Sequence, residues 1–342
     1  MNDTFLKACR GEEVDYTPVW LMRQAGRYMK EYQEVRSKVD FLTLCKTPEL
    51  ATKVTLQPVD ILNVDAAILF SDILIPVEAM GMHLEFSDKK GPILGDPVRS
   101  KSGVDRLVIP DTEDSMPFVL EAIRMLRQEL AGKVPLIGFS GAPYTLATYI
   151  IEGGSSRNFA HTKKMMYQNP GLFAGLLEKI TATIIEYLSA QIRAGAQAVQ
   201  LFDSWAGNLA PYDYENVIFP YVKTTIKALK KYEVPVIYFA NDCAGILKVV
   251  KKCGADVIGI DWRVDMHKAV KKIGKKASIQ GNLDPCVLFA PHEHIDERVQ
   301  DVLNRAEGAR GHIFNLGHGI LPETPVENAI AMVEAVHRLS RK

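Results

Sequence analysis

VPVIYFANDCAGILKVVKKCGADVIGID, residues 234–261, opens on one continuously apolar run (234–240) and closes on another (255–261). Neither run alternates apolar with polar side chains, so each reads as a strand covered on both faces, the pattern of parallel sheet. Working outward, runs of the same kind stand at PVWLM (18–22), DAAILF (65–70), VPLIGFSG (134–141), AQAVQLFD (196–203), ASIQG (277–281) and HIFNLG (312–317). Together they make about eight buried-type strands, the number that a (β/α)8 barrel requires.

Helical stretches separate the runs. Asn169-Pro170 opens a segment in which Phe173, Leu177, Ile180, Ile184, Leu188 and Ile192 recur near the helical period. Thr324-Pro325-Val326-Glu327 reads as a capping box with proline at the first helical position, and Thr47-Pro48-Glu49 as another helix start. With no linker or low-complexity tract, the alternation predicts one α/β unit over residues 1–342, a single TIM-type barrel. The interval 71–133 is longer than the others and contains GMHLEFSDKKGPILGDPV (81–98). Its Gly, Pro and Asp punctuation predicts a hairpin-like insertion after the second strand, either a lid or a plain cover for the barrel end.

Lys+Arg and Asp+Glu balance at 41 each, so no global field draws the chain to nucleic acid or to an anionic membrane. An anion site must therefore be a local concentration of charge. No apolar run is long enough to span a bilayer, and MNDTFLKACRGEEVDY lacks the basic-then-apolar order of a signal peptide. The expectation is a soluble, cytoplasmic protein. Its five cysteines form no C-x-x-C pair, which suits a reducing compartment, and no His-x-Cys pairing marks a zinc site.

In a (β/α)8 barrel the working groups follow the C-terminal ends of the strands. After the first run come Arg23 and Arg27, with Arg36 further along PVWLMRQAGRYMKEYQEVR (18–36). Arginine grips carboxylates with a planar fork of donors, and a spacing of four sets Arg23 and Arg27 on one side if the loop coils helically. The segment reads equally as a solvated loop. The later runs deliver Ser71-Asp72, then Tyr144 and Tyr149, Asp203-Ser204, Asn241-Asp242, Asp261-Trp262-Arg263, Asn282-Leu283-Asp284, and finally His318. Asp72 also suits a helix cap, Tyr149 a packed phenol, and Asp261 and Asp284 the holding of Arg263 or loop amides. Gly317 and Gly319 allow a tight turn that brings the His318 imidazole to the rim. The loop Gly153-Gly154-Ser155-Ser156 is of a kind that cradles phosphate and equally of a kind that merely turns. No P-loop, dinucleotide fingerprint or nucleophile elbow is present.

MRQAGRYMKEY (22–32), FSDIL (70–74), GFSGAPYTLATYIIEGG (138–154), QLFDSWAGNL (200–209), FANDCAG (239–245), GNLDP (281–285) and FNLGHGILPETP (314–325) strongly resemble the uroporphyrinogen decarboxylase family of haem and tetrapyrrole synthesis. The resemblance runs in order over essentially the whole chain. It implies a (β/α)8 barrel, a homodimer with its active clefts facing one another, and a reaction that needs neither metal nor organic cofactor. The implied reaction converts the four acetate arms of uroporphyrinogen III to methyl groups, giving coproporphyrinogen III. Carried over by position, the substrate-binding arginines fall on Arg23 and Arg27, with Arg36 a looser match, and the central aspartate on Asp72. The tyrosine falls on Tyr149, the serine on Ser204 and the histidine on His318. Asp72, Arg23, Tyr149 and His318 are the implied catalytic set. Trp205 departs from other members, which often carry a different residue there, and is expected to change the cleft lining without touching the chemistry.

The assignment makes physical sense. A porphyrinogen can tilt its four pyrrole N–H groups toward one point, where a single carboxylate accepts them together, and Asp72 is the candidate. An aspartate held in an apolar cleft tends toward its neutral form, so its ionisation and substrate binding are coupled. The proton donor stays open among the arginines, Tyr149 and His318. Two rivals remain: a corrinoid or thiol methyltransferase, which needs a zinc-bound thiolate, and a tetrapyrrole carrier without turnover.

Overall fold

A computed structural model describes residues 2–87 and 91–342. Its main sheet has seven strands: β1 (Ala67–Ile68), β4 (Leu136–Gly141), β5 (Ala198–Asp203), β6 (Val236–Ala240), β7 (Val257–Ile260), β8 (Ser278–Gln280) and β9 (His312–Ile313). They lie side by side in that order, and every neighbouring pair is parallel. Strand β2 (Leu84–Ser87) and strand β3 (Gly91–Leu94) pair separately and antiparallel.

The eighth stave is the run at 18–22, reduced to the single parallel bridge between Val19 and Phe314. Hydrogen bonds nevertheless close the barrel on both of its edges. The Phe314 N–H donates to the Pro18 carbonyl at 2.8 Å, and the Asp65 N–H to the Val19 carbonyl at 2.8 Å. Pro18 has no N–H to extend the ladder, and the chain turns away at Met22-Arg23. The expected strand is therefore present as a stave and absent as a regular strand.

Side chains fill the barrel interior. Trp20, Ile137, Ile237, Phe239, Val257 and Ile313 pack there, and Phe5, Leu6 and Cys9 of the helix Thr4–Arg10 join the same cluster. A polar thread crosses it, from the Trp20 indole N–H to Gln280 Oε1 (3.0 Å) and from Gln280 Nε2 to Gln200 Oε1 (3.1 Å). The thread ends at Gln200, whose own Nε2 is buried without a partner.

The helix Pro170–Ala194 buries Phe173, Leu177, Ile180, Ile184 and Leu188 as their spacing predicts, and Pro48 opens the helix Pro48–Leu62. The last helix, Val326–Leu339, starts one residue later than expected. Pro325 itself is the cap, and its carbonyl accepts the Asn328 N–H, so Thr324 lies outside the helix with its hydroxyl unpaired. No capping box forms.

The insertion is a hairpin of β2 and β3, and its residues 88–90 lie outside the described residues. It lies against the Gly153-Gly154 loop: the Leu94 N–H donates to the Gly153 carbonyl (2.9 Å), and Ile93 bridges to Gly154. That loop is consequently no phosphate cradle, because the hairpin's backbone occupies it. Among the described residues, no helix is long and apolar enough to cross a membrane.

Candidate active site

Asp72 follows β1 in a short loop whose root is tied down by the Phe70 N–H donating to Thr55 Oγ1 at 2.9 Å. The side chain is half-buried. Its Oδ1 accepts the Leu74 N–H at 2.8 Å, just before the helix Ile75–Ala79. That bond lies before the helix, whose N-cap is Leu74, so Asp72 braces the turn and does not cap the helix itself. Burial pushes the carboxyl up to about 6, against the Leu74 hydrogen bond and the Arg23 charge, which both favour ionisation.

Arg23 stands at the end of the first stave with a left-handed backbone, φ 63°. Gln24 explains why the chain turns there instead of coiling. Its buried side chain accepts the Leu21 N–H (3.1 Å) and donates to the Ala66 carbonyl (3.1 Å), stapling the turn to the neighbouring stave. Helix begins only at Lys30, so Arg23 and Arg27 do not share a helical face. The Arg23 stem runs along Gly319, where an added Cβ would sit 2.4 Å from Arg23 Cδ. Its charge acts on Asp72, Tyr149 and His318 alike, so these three residues lie within electrostatic reach of one guanidinium at the rim.

Arg27 and Arg36 belong to another group, since both act on Tyr32. Arg27 is exposed, whereas Arg36 donates to the Val39 carbonyl at 2.8 Å and borders a cavity of about 480 Å³ with Phe41 and Phe86. A row of rings leads from there back to the rim: Phe86 to Phe41 (4.6 Å between centroids), Phe41 to Phe70 (5.9 Å) and Phe70 to Tyr32 (5.6 Å). Phe86 of the hairpin is thus linked through Phe41 to Phe70, two residues from Asp72.

Tyr149 lies half-buried on the helix Pro143–Glu152 that follows β4. Burial and then the Asp72 charge push its phenol up, while a hydrogen bond from the Trp205 side chain and the Arg23 charge pull the other way. The Tyr149 and Trp205 rings are 6.3 Å apart, and Phe159 backs Trp205 at 5.2 Å. Trp205 thus packs beside a candidate catalytic residue. Ser204 is half-buried at the turn after β5, and its carbonyl accepts from Asn241 at 3.3 Å.

His318 completes the rim. Its imidazole has Phe239 at 6.3 Å and Trp262 at 6.4 Å, both edge-on, and burial first, then the Arg23 and Arg263 charges, lower its pKa to about 4. It is neutral at pH 7. The flanking glycines serve close approach and not a left-handed turn: a Cβ on Gly317 would lie 2.3 Å from the Trp262 nitrogen, and one on Gly319 would strike Arg23.

Four cysteines, Cys9, Cys45, Cys243 and Cys253, are buried in the packed interior, and burial raises each thiol above its ordinary value. They are poor thiolates. Among the described residues no three His, Cys, Asp or Glu side chains converge as a metal would require. Sequence reasoning set Trp262 and Arg263 on the rim without a role in the cleft. Nothing local in Asp-Trp-Arg announces that its aromatic ring will meet a histidine more than fifty residues later.

Fold and rim together define a (β/α)8-barrel enzyme whose cleft combines a carboxyl, a phenol, an imidazole and arginines. The profile of the uroporphyrinogen decarboxylase family (URO-D) matches residues 1–339, and the chain belongs to that family. It is 57% identical over 342 residues to a uroporphyrinogen decarboxylase of Trichlorobacter lovleyi, and 56% to that of Geobacter sulfurreducens, covering 100% of each chain. Among solved structures, a methyltransferase from Methanosarcina mazei superposes with a TM-score of 0.83 over 98% of both chains at 23% identity, a likeness of fold.

Proposed function

We propose that this chain decarboxylates uroporphyrinogen III, converting its four acetate arms to methyl groups and yielding coproporphyrinogen III. Full-length relatives of that name at 57% identity support the reaction. The observation that carries the site is the Asp72 carboxyl, fixed through one oxygen by the Leu74 amide among Arg23, Tyr149 and His318.

In this reading the Asp72 carboxylate accepts the four pyrrole N–H groups. A proton added to the pyrrole carbon next to the acetate-bearing one creates an iminium-like sink on the substrate itself. The bond to the carboxylate carbon breaks, CO₂ leaves, and its electron pair flows into that sink, leaving an exocyclic methylene. A second proton makes the methyl group, and loss of the first proton restores the pyrrole. Ionised Asp72 stabilises the positive ring throughout. Arg23, permanently charged, anchors a carboxylate arm, with Arg27 and Arg36 holding arms further out and Ser204 offering its hydroxyl. Neutral His318 donates a hydrogen bond without adding charge, and Tyr149 is the remaining phenolic donor at the reacting arm.

The proposal extends to a single catalytic unit over residues 1–342, cytoplasmic and homodimeric, on the strength of family membership. Sedimentation at assay concentrations tests the dimer. The reaction is tested by anaerobic incubation of chelator-treated protein with freshly reduced uroporphyrinogen III, then oxidation and chromatography. Stepwise seven-, six-, five- and four-carboxylate porphyrins are expected. Tight binding without product would leave a carrier instead.

A further inference from the structure

The function just proposed requires grips for many carboxylates, and one arginine near the rim has no part in it yet. Arg263 follows β7. Its guanidinium carbon lies 4.0 Å over the Trp262 ring, and Trp262 in turn meets His318 edge-on at 6.4 Å. Gly317 presses against the Trp262 backbone on one side of His318, and Gly319 against Arg23 on the other. Both arginines act on the imidazole.

Arg263 is held without being used up. Asp261 beneath it is fully buried, and its carboxylate is already served by the Cys243 N–H (2.9 Å) and the Arg263 N–H (2.9 Å). The guanidinium reaches Asp261 Oδ1 only at 3.3 Å and Asn241 Oδ1 at 3.5 Å, both through Nη1. Those contacts orient the group. They leave the Nε and Nη2 donors without a protein partner among the described residues, on a side chain that is 45% exposed. A stacked, pre-oriented fork loses little freedom on meeting a second fork of oxygens.

We propose that Arg263 binds a carboxylate arm of the substrate beside His318, with Trp262 as the floor of that subsite. The inference rests on the function proposed above, and its test separates the two.

Arg263→Gln and Arg263→Lys are compared with the unaltered full chain. Binding of uroporphyrin III is followed by fluorescence, and turnover of uroporphyrinogen III anaerobically, each at low and high salt. Arg263→Gln is expected to weaken uroporphyrin binding and raise KM about tenfold, with kcat falling less than threefold. The deficit shrinks with salt as the lost charge is screened, and Arg263→Lys falls between, a point charge without the fork. Binding and KM within twofold of the unaltered protein would overturn the inference. So would a fall in kcat at unchanged KM, which would mean that Arg263 acts through Trp262 and His318. Should the unaltered protein bind uroporphyrin yet release no CO₂, the functional reading fails while the binding comparison still decides the role of Arg263.

Discussion

Asp72 follows β1 and Asp203 ends β5, with β4 between them in the same barrel, and burial pushes both carboxyls up to about 6. Their partners differ. Asp203 has both oxygens taken, Oδ1 by the Thr145 hydroxyl and Oδ2 by the Tyr238 hydroxyl, each at 2.7 Å, with Tyr214 behind Tyr238 at 2.8 Å. Asp72 has one oxygen on the Leu74 amide, and among the described residues nothing on the other. A raised pKa records burial, whereas an unmet acceptor at the rim is free to meet a ligand. Asp203 is a structural post: Thr145, which it holds, also receives the Trp205 N–H at 3.3 Å.

The comparison breaks most visibly in turnover. Asp72→Asn keeps the shape and removes the negative centre, so kcat/KM for uroporphyrinogen III is expected to fall a hundredfold or more. Asp203→Asn, assayed per folded molecule, is expected to stay within about tenfold, because no Asp203 atom is offered to the cleft. Equal losses in the two variants would end the distinction.

Stability against pH sharpens it further. The folded-state pKa of Asp72 lies above its ordinary value of 3.8, so its stabilising contribution is complete below 3.8 and is lost as pH rises through about 6. Above pH 6 the ionised carboxyl is a burden. Asp72→Asn is therefore expected to be more stable than the unaltered protein at pH 8, by on the order of 1–3 kcal/mol, with the gain fading toward pH 4. Asp203→Asn is relieved of the same burden at pH 8, but it also turns an amide N–H₂ toward a hydroxyl that now donates, so it should gain less than Asp72→Asn by about 1–3 kcal/mol. Urea unfolding of the three proteins at pH 4, 6 and 8 measures the difference. Turnover of the unaltered protein should decline as pH falls through about 6, where free Asp72 takes up its proton.

Much of the barrel was legible because continuous apolar runs mark strands covered on both faces, and seven of them form the strands of the main sheet. The run at 18–22 was readable in place but not in extent, since Pro18 and the turn at Arg23 cut its ladder to one bridge. The separation of Arg23 from Arg27 was not readable. It depends on Gln24 reaching Ala66, a contact between staves that no local spacing encodes. The same holds for Thr324, whose capping pattern is overridden by Pro325, and for the Gly153-Gly154 loop, whose partner is the hairpin. Motifs revealed which residues reach the rim. Which rim residues face one another was decided by packing across the barrel.

Gly319 shows that packing at its closest, and it yields a smaller test on the Asp72 side. A methyl group there must displace Arg23, because an added Cβ would lie 2.4 Å from Cδ and 3.0 Å from Nε of that side chain. The backbone itself accepts alanine, since Gly319 is not among the left-handed residues. Gly319→Ala is therefore expected to fold normally and to lose about tenfold in kcat/KM, mostly through KM, as an arginine anchor is moved off its carboxylate. An unchanged KM would mean that Arg23 has another resting place that serves as well.

The smallest effect is expected at Trp205, on the seam between the two aspartates. Its backbone N–H is held by Thr145 and so by Asp203, while its indole supports the Tyr149 hydroxyl near Asp72. Trp205→Phe keeps a ring against Tyr149 and Phe159 and deletes only the N–H donor. Losing one hydrogen bond to a neutral partner is worth about 0.5–1.5 kcal/mol, so kcat/KM should fall roughly threefold to tenfold. The Tyr149 phenol should also rise further, because a group that favours its ionised form has gone. Spectroscopic titration of the tyrosines in Trp205→Phe and in Trp205→Phe/Tyr149→Phe isolates that shift. A phenol that titrates as before would show that Trp205 only fills space, and that the Asp203 post and the Asp72 cleft are energetically separate.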